Sequence, residues 1–307
     1  MKTLGGTVGI ILALTVLWIG TCQAEEVQPK DVYSKVQHLN EGLVTLLRHN
    51  MRSDFAIQVT SELMDNAIQP RHVYQRALDV ELKLAAIVRA NGVKVPPIHR
   101  ILARPYTPKD VADLLEVMHQ RIERLLEYFK IPENQYYKEH GEREPLDVFY
   151  ALERMDLFLL KMGAPTVQPG HVFRRAYAVA GLAEKLCRLD VCTDIRRRTL
   201  ADDDVIIPAY VYQETYRYID ALHLYVKKYK THLTGGVLAL KPQEGMIRPA
   251  QVNKLMGIAL ADTIAVAKES FELDAIELTP FKTDTIPRDV WREINYARRL
   301  LETMVQD

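Results

Sequence analysis

The chain is poor in the residues that most often carry chemistry. Of its 307 residues only three are Cys and four are Ser (Ser34, Ser53, Ser61 and Ser270). None of those Ser lies in a Gly-x-Ser-x-Gly elbow, which argues against that class of serine hydrolase. No Gly-rich phosphate loop of the Walker or dinucleotide type occurs, and Gly235-Gly236 is an isolated turn signal. The nine His include no His-Glu-x-x-His or His-x-His arrangement, so no metal or other cofactor is expected. An excess of one charge is missing too. Forty Lys+Arg balance forty Asp+Glu, which speaks against nucleic acid, whose binding rests on surplus cations facing phosphate. A charged fraction of 26% beside 48% hydrophobic residues excludes wholesale disorder.

One long apolar run is present, and it lies at the start. Lys2 precedes an apolar stretch from Val8 to Ile19, followed by Gly20, Thr21, Cys22, Gln23 and Ala24. An early positive charge, a short apolar core and a small residue before Glu25 form the pattern of a secretory signal peptide over residues 1–24. The run is shorter than the roughly 20 residues of a membrane span, and no later segment approaches one. A retained anchor is the bland alternative. Lipid attachment at Cys22 is the other, and Thr21 just before it fits that poorly. Export leaves Cys187 and Cys192 as a disulfide candidate in an oxidising compartment. The bacterial periplasm is the expected location.

What the chain has in abundance is repetition. A Pro-x-x-Val signature begins at Pro29, Pro70, Pro108, Pro145, Pro169, Pro208, Pro249 and Pro287. Six of the seven intervals lie near 39 residues, and the exception, from Pro145 to Pro169, is 24. Counting from each Val, positions four, seven, eleven and fourteen residues on are apolar everywhere except Thr215 and Thr263. That 4-3-4-3 spacing is one face of a helix and the seam of a bundle. Proline suits the first helical position, and Asp31, Asp110, Asp147 and Asp289 two residues later suit the positive end of the helix dipole. The fold expected is therefore all-α: eight amphipathic helices in two related four-helix halves, 25–166 and 167–307. Most linkers run to about 18 residues, long for a compact domain. The six-residue connection 163–168 predicts an antiparallel helix hairpin at the joint.

Few side chains stand out beyond this pattern. The residue after the signature Val is aromatic in six units: Tyr33, Tyr74, Phe149, Phe173, Tyr212 and Trp291. These rings are candidates for an interaction surface, with packing against the linkers as the structural alternative. His72 and His171 share the position that Asp fills elsewhere, which predicts a helix-start role before a shared ligand. Phe55–Ala67 is a candidate extra helix. The linker bearing Tyr136, Tyr137, His140 and Glu142 is a candidate contact surface, and Asp202-Asp203-Asp204 reads as a solvated loop. Repeats create extended surfaces, so the first expectation is a non-enzymatic protein-binding or scaffolding factor of the cell envelope. A small-ligand or lipid binder with an apolar pocket between helices is the alternative, and an enzyme of unrecognised type the third.

Overall fold

The computed structural model describes residues 26–51, 68–95, 100–132, 141–187, 191–201, 204–229, 231–240 and 245–306. The leader and Cys22, the 55–67 stretch, Tyr136, Tyr137, His140, Asp202 and Asp203 lie outside the described residues. Eight helices each begin at a signature proline: α1 (Pro29–Met51), α2 (Pro70–Ala90), α3 (Pro108–Tyr128), α4 (Pro145–Lys161), α5 (Pro169–Leu186), α6 (Pro208–Tyr229), α7 (Pro249–Ser270) and α8 (Pro287–Gln306). The protein is an all-α helical bundle with one small two-stranded sheet, β1 (Arg100–Leu102) antiparallel to β2 (Ala275–Glu277).

The helix starts share one device. In seven helices the third helical residue reaches back to accept a hydrogen bond from the backbone N–H just before the proline, satisfying a group at the helix entrance. Asp31, Asp110, Asp147 and Asp289 do so with a carboxylate, at 2.9, 2.7, 2.9 and 3.1 Å. Gln251 does so with its amide oxygen at 2.6 Å. His72 and His171 use Nδ1, at 3.0 and 3.1 Å. The two His are thus helix-start residues in the Asp position. In α6 Tyr210 occupies this place.

The seam is the core. Of the 32 seam positions only Met162, past the end of the short α4, is less than fully buried. Thr215 and Thr263 are completely buried, and each donates its hydroxyl hydrogen to the carbonyl four residues earlier. Tyr218 adds a 2.7 Å contact to the Thr263 hydroxyl, so these polar groups are satisfied inside the bundle.

Helix direction explains the long linkers. In the first half Pro29, Pro70, Pro108 and Pro145, with their signature Val side chains, line one crevice, so all four helices start at one end. Contacts along α1 and α3 advance together: Lys35 with Glu116, His38 with His119, Gly42 beneath Ile122. In the second half Glu214 meets Asn295 and Lys228 meets Met304, so α6 and α8 also run parallel. A parallel bundle obliges each linker to return along a helix of about 30 Å, within reach of about 18 extended residues.

The two halves repeat one pairing scheme. α1 and α2 each pack on α3 and α4, and α5 and α6 each pack on α7 and α8. The halves meet through α2 and α7, which run antiparallel: Asn253 faces Asp79, Gly257 faces Gln75, and Asp262 faces Arg71 and His72. The linkers that follow these two helices supply β1 and β2. The expected hairpin at the joint takes a different form. α4 and α5 do not pack side by side, because each buries its seam within its own half. Among the described residues no helix is long and apolar enough to cross a membrane.

Candidate functional site

Where α2, α4, α5 and α7 converge, the halves frame a half-open cavity of about 170 Å³. Its walls come from the polar faces of these helices and not from their seams. α2 contributes Arg76, Leu78, Asp79, Leu82 and Lys83, and α4 contributes Glu153 and Asp156. The first two turns of α5 and α7 bring His171, Arg174, Arg175, Gln251, Asn253 and Lys254. Ile101 of β1, the connection Pro165-Thr166-Val167 and Leu278 complete the lining. Gly170 lets the 281–282 backbone lie against the start of α5, since a Cβ there would collide with the Lys282 carbonyl and the Phe281 ring.

Most charges here are paired and out of water. Asp156 binds Arg76 at 3.0 Å and Lys83 at 2.5 Å. Asp79 binds Arg175 at 2.7 Å and accepts from the Asn253 amide at 3.0 Å. Lys254 holds Glu153 at 2.9 Å. Burial opposes the Asp156 charge, yet Arg76 and Lys83 outweigh it and keep its carboxyl below the usual range. Arg174 differs. Its Nε donates to the Thr279 carbonyl at 2.6 Å, and among the described residues no carboxylate pairs with it. Burial, then the neighbouring Arg175 charge, push its guanidinium below the usual arginine range. Burial and the same two arginines also lower His171. With Nδ1 accepting from Gln168, the neutral His171 ring keeps its proton on Nε2.

A second buried cluster closes the junction without a cavity. Asp262, fully buried on α7, accepts from Arg71 Nε at 2.7 Å and the Leu238 N–H at 2.9 Å, with His72 Nε2 at 2.7 Å. Burial disfavours its charge, while His72 and then Arg71 hold its pKa down. Between α1 and α3, the His38 and His119 rings meet at a tilt with centroids 5.0 Å apart, beside Lys35 and Glu116. Among the described residues no group of three or more His, Cys, Asp or Glu is placed to hold a metal.

The six signature aromatics are not gathered into one face. Phe149 and Tyr212 are buried, and Tyr33, Tyr74, Phe173 and Trp291 are half-buried against the core. Tyr74 stacks on Tyr106 at 4.1 Å, and Arg143 lies over Tyr33. Cys187 and Cys192 are joined as a disulfide at the end of α5, Cα atoms 6.2 Å apart. Glu142 is exposed, and Asp204 accepts a bond from the Ala201 N–H at 2.9 Å in its loop. Sequence reasoning missed the cavity residues because charges on a helix face ordinarily mean solvent. One signal was present: α7 carries only Lys254 and Asp262 as charges before its last turn, and a helix apolar all round is buried on both sides.

No family model matches the chain, and neither a curated protein nor a solved structure resembles it at a significant level.

Proposed function

We propose that the protein is an exported, periplasmic binding protein that holds a small molecule between its two halves. The observation that carries this reading is the junction cavity: about 170 Å³, lined by buried charges together with aliphatic side chains. Ligand sites of this kind, concave and mostly apolar with a few placed polar groups, favour domain interfaces. The carboxylates that would serve as general bases are already occupied by Arg and Lys, so the pocket offers binding groups more readily than catalytic ones. The aromatic rings that suggested a scaffolding surface have neighbours within the chain, which moves the weight from a protein partner to a small ligand. The leader pattern and the Cys187–Cys192 disulfide support export.

Native mass spectrometry of protein purified without denaturation from its own envelope extract tests the reading. A bound species of defined mass is expected, and it should vanish in Leu82→Trp, which fills the cavity from α2. Circular dichroism confirms that the variant still folds. A bare chain mass for both proteins would count against a ligand at this site.

A further inference from the structure

Resting on that reading, we infer that the ligand is an amphiphilic anion: a carboxylate or phosphate monoester headgroup seated on Arg174, carried on a short aliphatic body. Five cations line the cavity (Arg76, Lys83, Arg174, Arg175 and Lys254) against three carboxylates (Asp79, Glu153 and Asp156). Each carboxylate already has a cation within 3.0 Å, which leaves a surplus of two positive charges: one is shared by Arg76 and Lys83 on Asp156, and the other is Arg174, which has no carboxylate partner among the described residues.

The Arg174 guanidinium uses Nε on the Thr279 carbonyl, and its two terminal nitrogens have no acceptor among the described residues. Those four N–H groups form a planar fork that matches two anionic oxygens. Arg76 lines the same cavity with its terminal nitrogen already on Asp156 at 3.0 Å, and its unpartnered Nε is buried out of reach of the cavity, so Arg174 is the cation with donors to offer. The first turns of α5 and α7 open on the same cavity, so two helix N-termini add partial positive charge. Leu78, Leu82, Ile101, Val167 and Leu278 line the same cavity and give it apolar surface that a methylene chain would cover. A cationic ligand would have to sit beside the surplus positive charge. A neutral one would leave Arg174 desolvated next to Arg175 with nothing to offset either charge.

Isothermal titration of the full chain with four eight-carbon probes separates the alternatives: octanoate, octyl phosphate, octylammonium and octanol. One-to-one binding of octanoate or octyl phosphate is expected, with octylammonium and octanol silent. Whichever anion binds more tightly identifies the headgroup. Arg174→Gln should weaken that binding by about tenfold or more, the scale of a charge-assisted hydrogen bond, without lowering the melting temperature. If that variant fails to fold, Arg174→Lys carries the test: charge selectivity stays while affinity falls, because the fork is lost. Octanol or octylammonium binding as tightly as the anions, or an unchanged affinity in the Arg174 variants, would overturn the anion assignment. The ligand pocket itself would survive that result if Leu82→Trp abolished binding of the responding probe. Silence of all four probes would overturn both.

Discussion

At the residue scale, the buried carboxylates at the junction decide how the protein meets acid. Asp156 and Asp262 are pulled out of water, which disfavours their charge, yet neighbouring cations more than offset this and both pKa values fall. A carboxyl with a depressed folded pKa contributes stability that is complete above its unfolded value, about 4, and is lost as pH falls through the folded value. Urea midpoints should therefore be insensitive to these two groups above about pH 5 and drop steeply below about pH 4. Asp156→Asn leaves Lys83 buried without its counter-charge and Arg76 with only the longer 3.8 Å contact to Asp79, and should cost about 3–5 kcal/mol at neutral pH by urea denaturation. His171 works in a different window. Its folded pKa lies below the usual histidine value through burial and the Arg174 and Arg175 charges, so the unfolded chain binds the proton more readily. Its contribution is complete above about pH 6.5 and declines as pH falls below that. His171→Asp keeps a helix-start acceptor for the Gln168 N–H and places a negative charge beside two arginines. Stability of this variant between about pH 7 and pH 5.5 should be flatter than wild type in paired melts; an identical slope would remove His171 from the effect. The sequence shows these residues as types. It does not show their burial, because Arg76, Asp79 and Lys83 lie on the face of α2 that a lone bundle would leave in water.

At the scale of the helix, most of the architecture is legible. Proline at the first position, a side chain that bonds back to the entrance, and a 4-3-4-3 apolar face are local properties, and local properties survive folding unchanged. Asp110 shows the device most fully: it accepts from the Thr107 N–H at 2.7 Å and the Thr107 hydroxyl at 2.8 Å. Asp110→Ala should cost about 1 kcal/mol in a denaturant titration, the scale of a lost helix cap. Gly42 marks a close approach of α1 to α3, since a Cβ there would stand 2.9 Å from Ile122 Cγ2. Gly42→Ala gains helix propensity but must push α1 from α3, and should lose about 1–3 kcal/mol net. A stabilised variant would show that the seam yields there. What the helix pattern leaves open is direction. The spacing of a seam is the same for parallel and antiparallel neighbours, and the three-dimensional contacts resolve it: four proline starts at one crevice in the first half, and α6 advancing with α8 in the second.

The whole molecule turns on the antiparallel packing of α2 on α7, which the local pattern marks only through the nearly all-apolar α7 and which the β1–β2 pairing accompanies. Both helices serve two neighbourhoods. α7 does so by being nearly apolar around its circumference, and α2 by burying a charged face against partners from the other half. Such an interface is selective, because its charges are satisfied only in register: Asp262 needs Arg71, and Asp79 needs Arg175 and Asn253. It should also couple the unfolding of the halves, since separating α2 from α7 strands several buried ions at once. Trp291 gives a local probe, because Trp18 lies in the expected leader and the mature chain would keep Trp291 alone, on α8 of the second half. In the wild-type mature protein, Trp291 fluorescence and far-ultraviolet circular dichroism should trace one thermal transition. Asp262→Asn removes the charge that gathers Arg71 and His72 against α7 while each bundle keeps its seam. The two signals should then separate, one half melting before the other. Coincident transitions at a lowered temperature would instead mean that the seams, and not the junction, bind the eight helices into one cooperative unit.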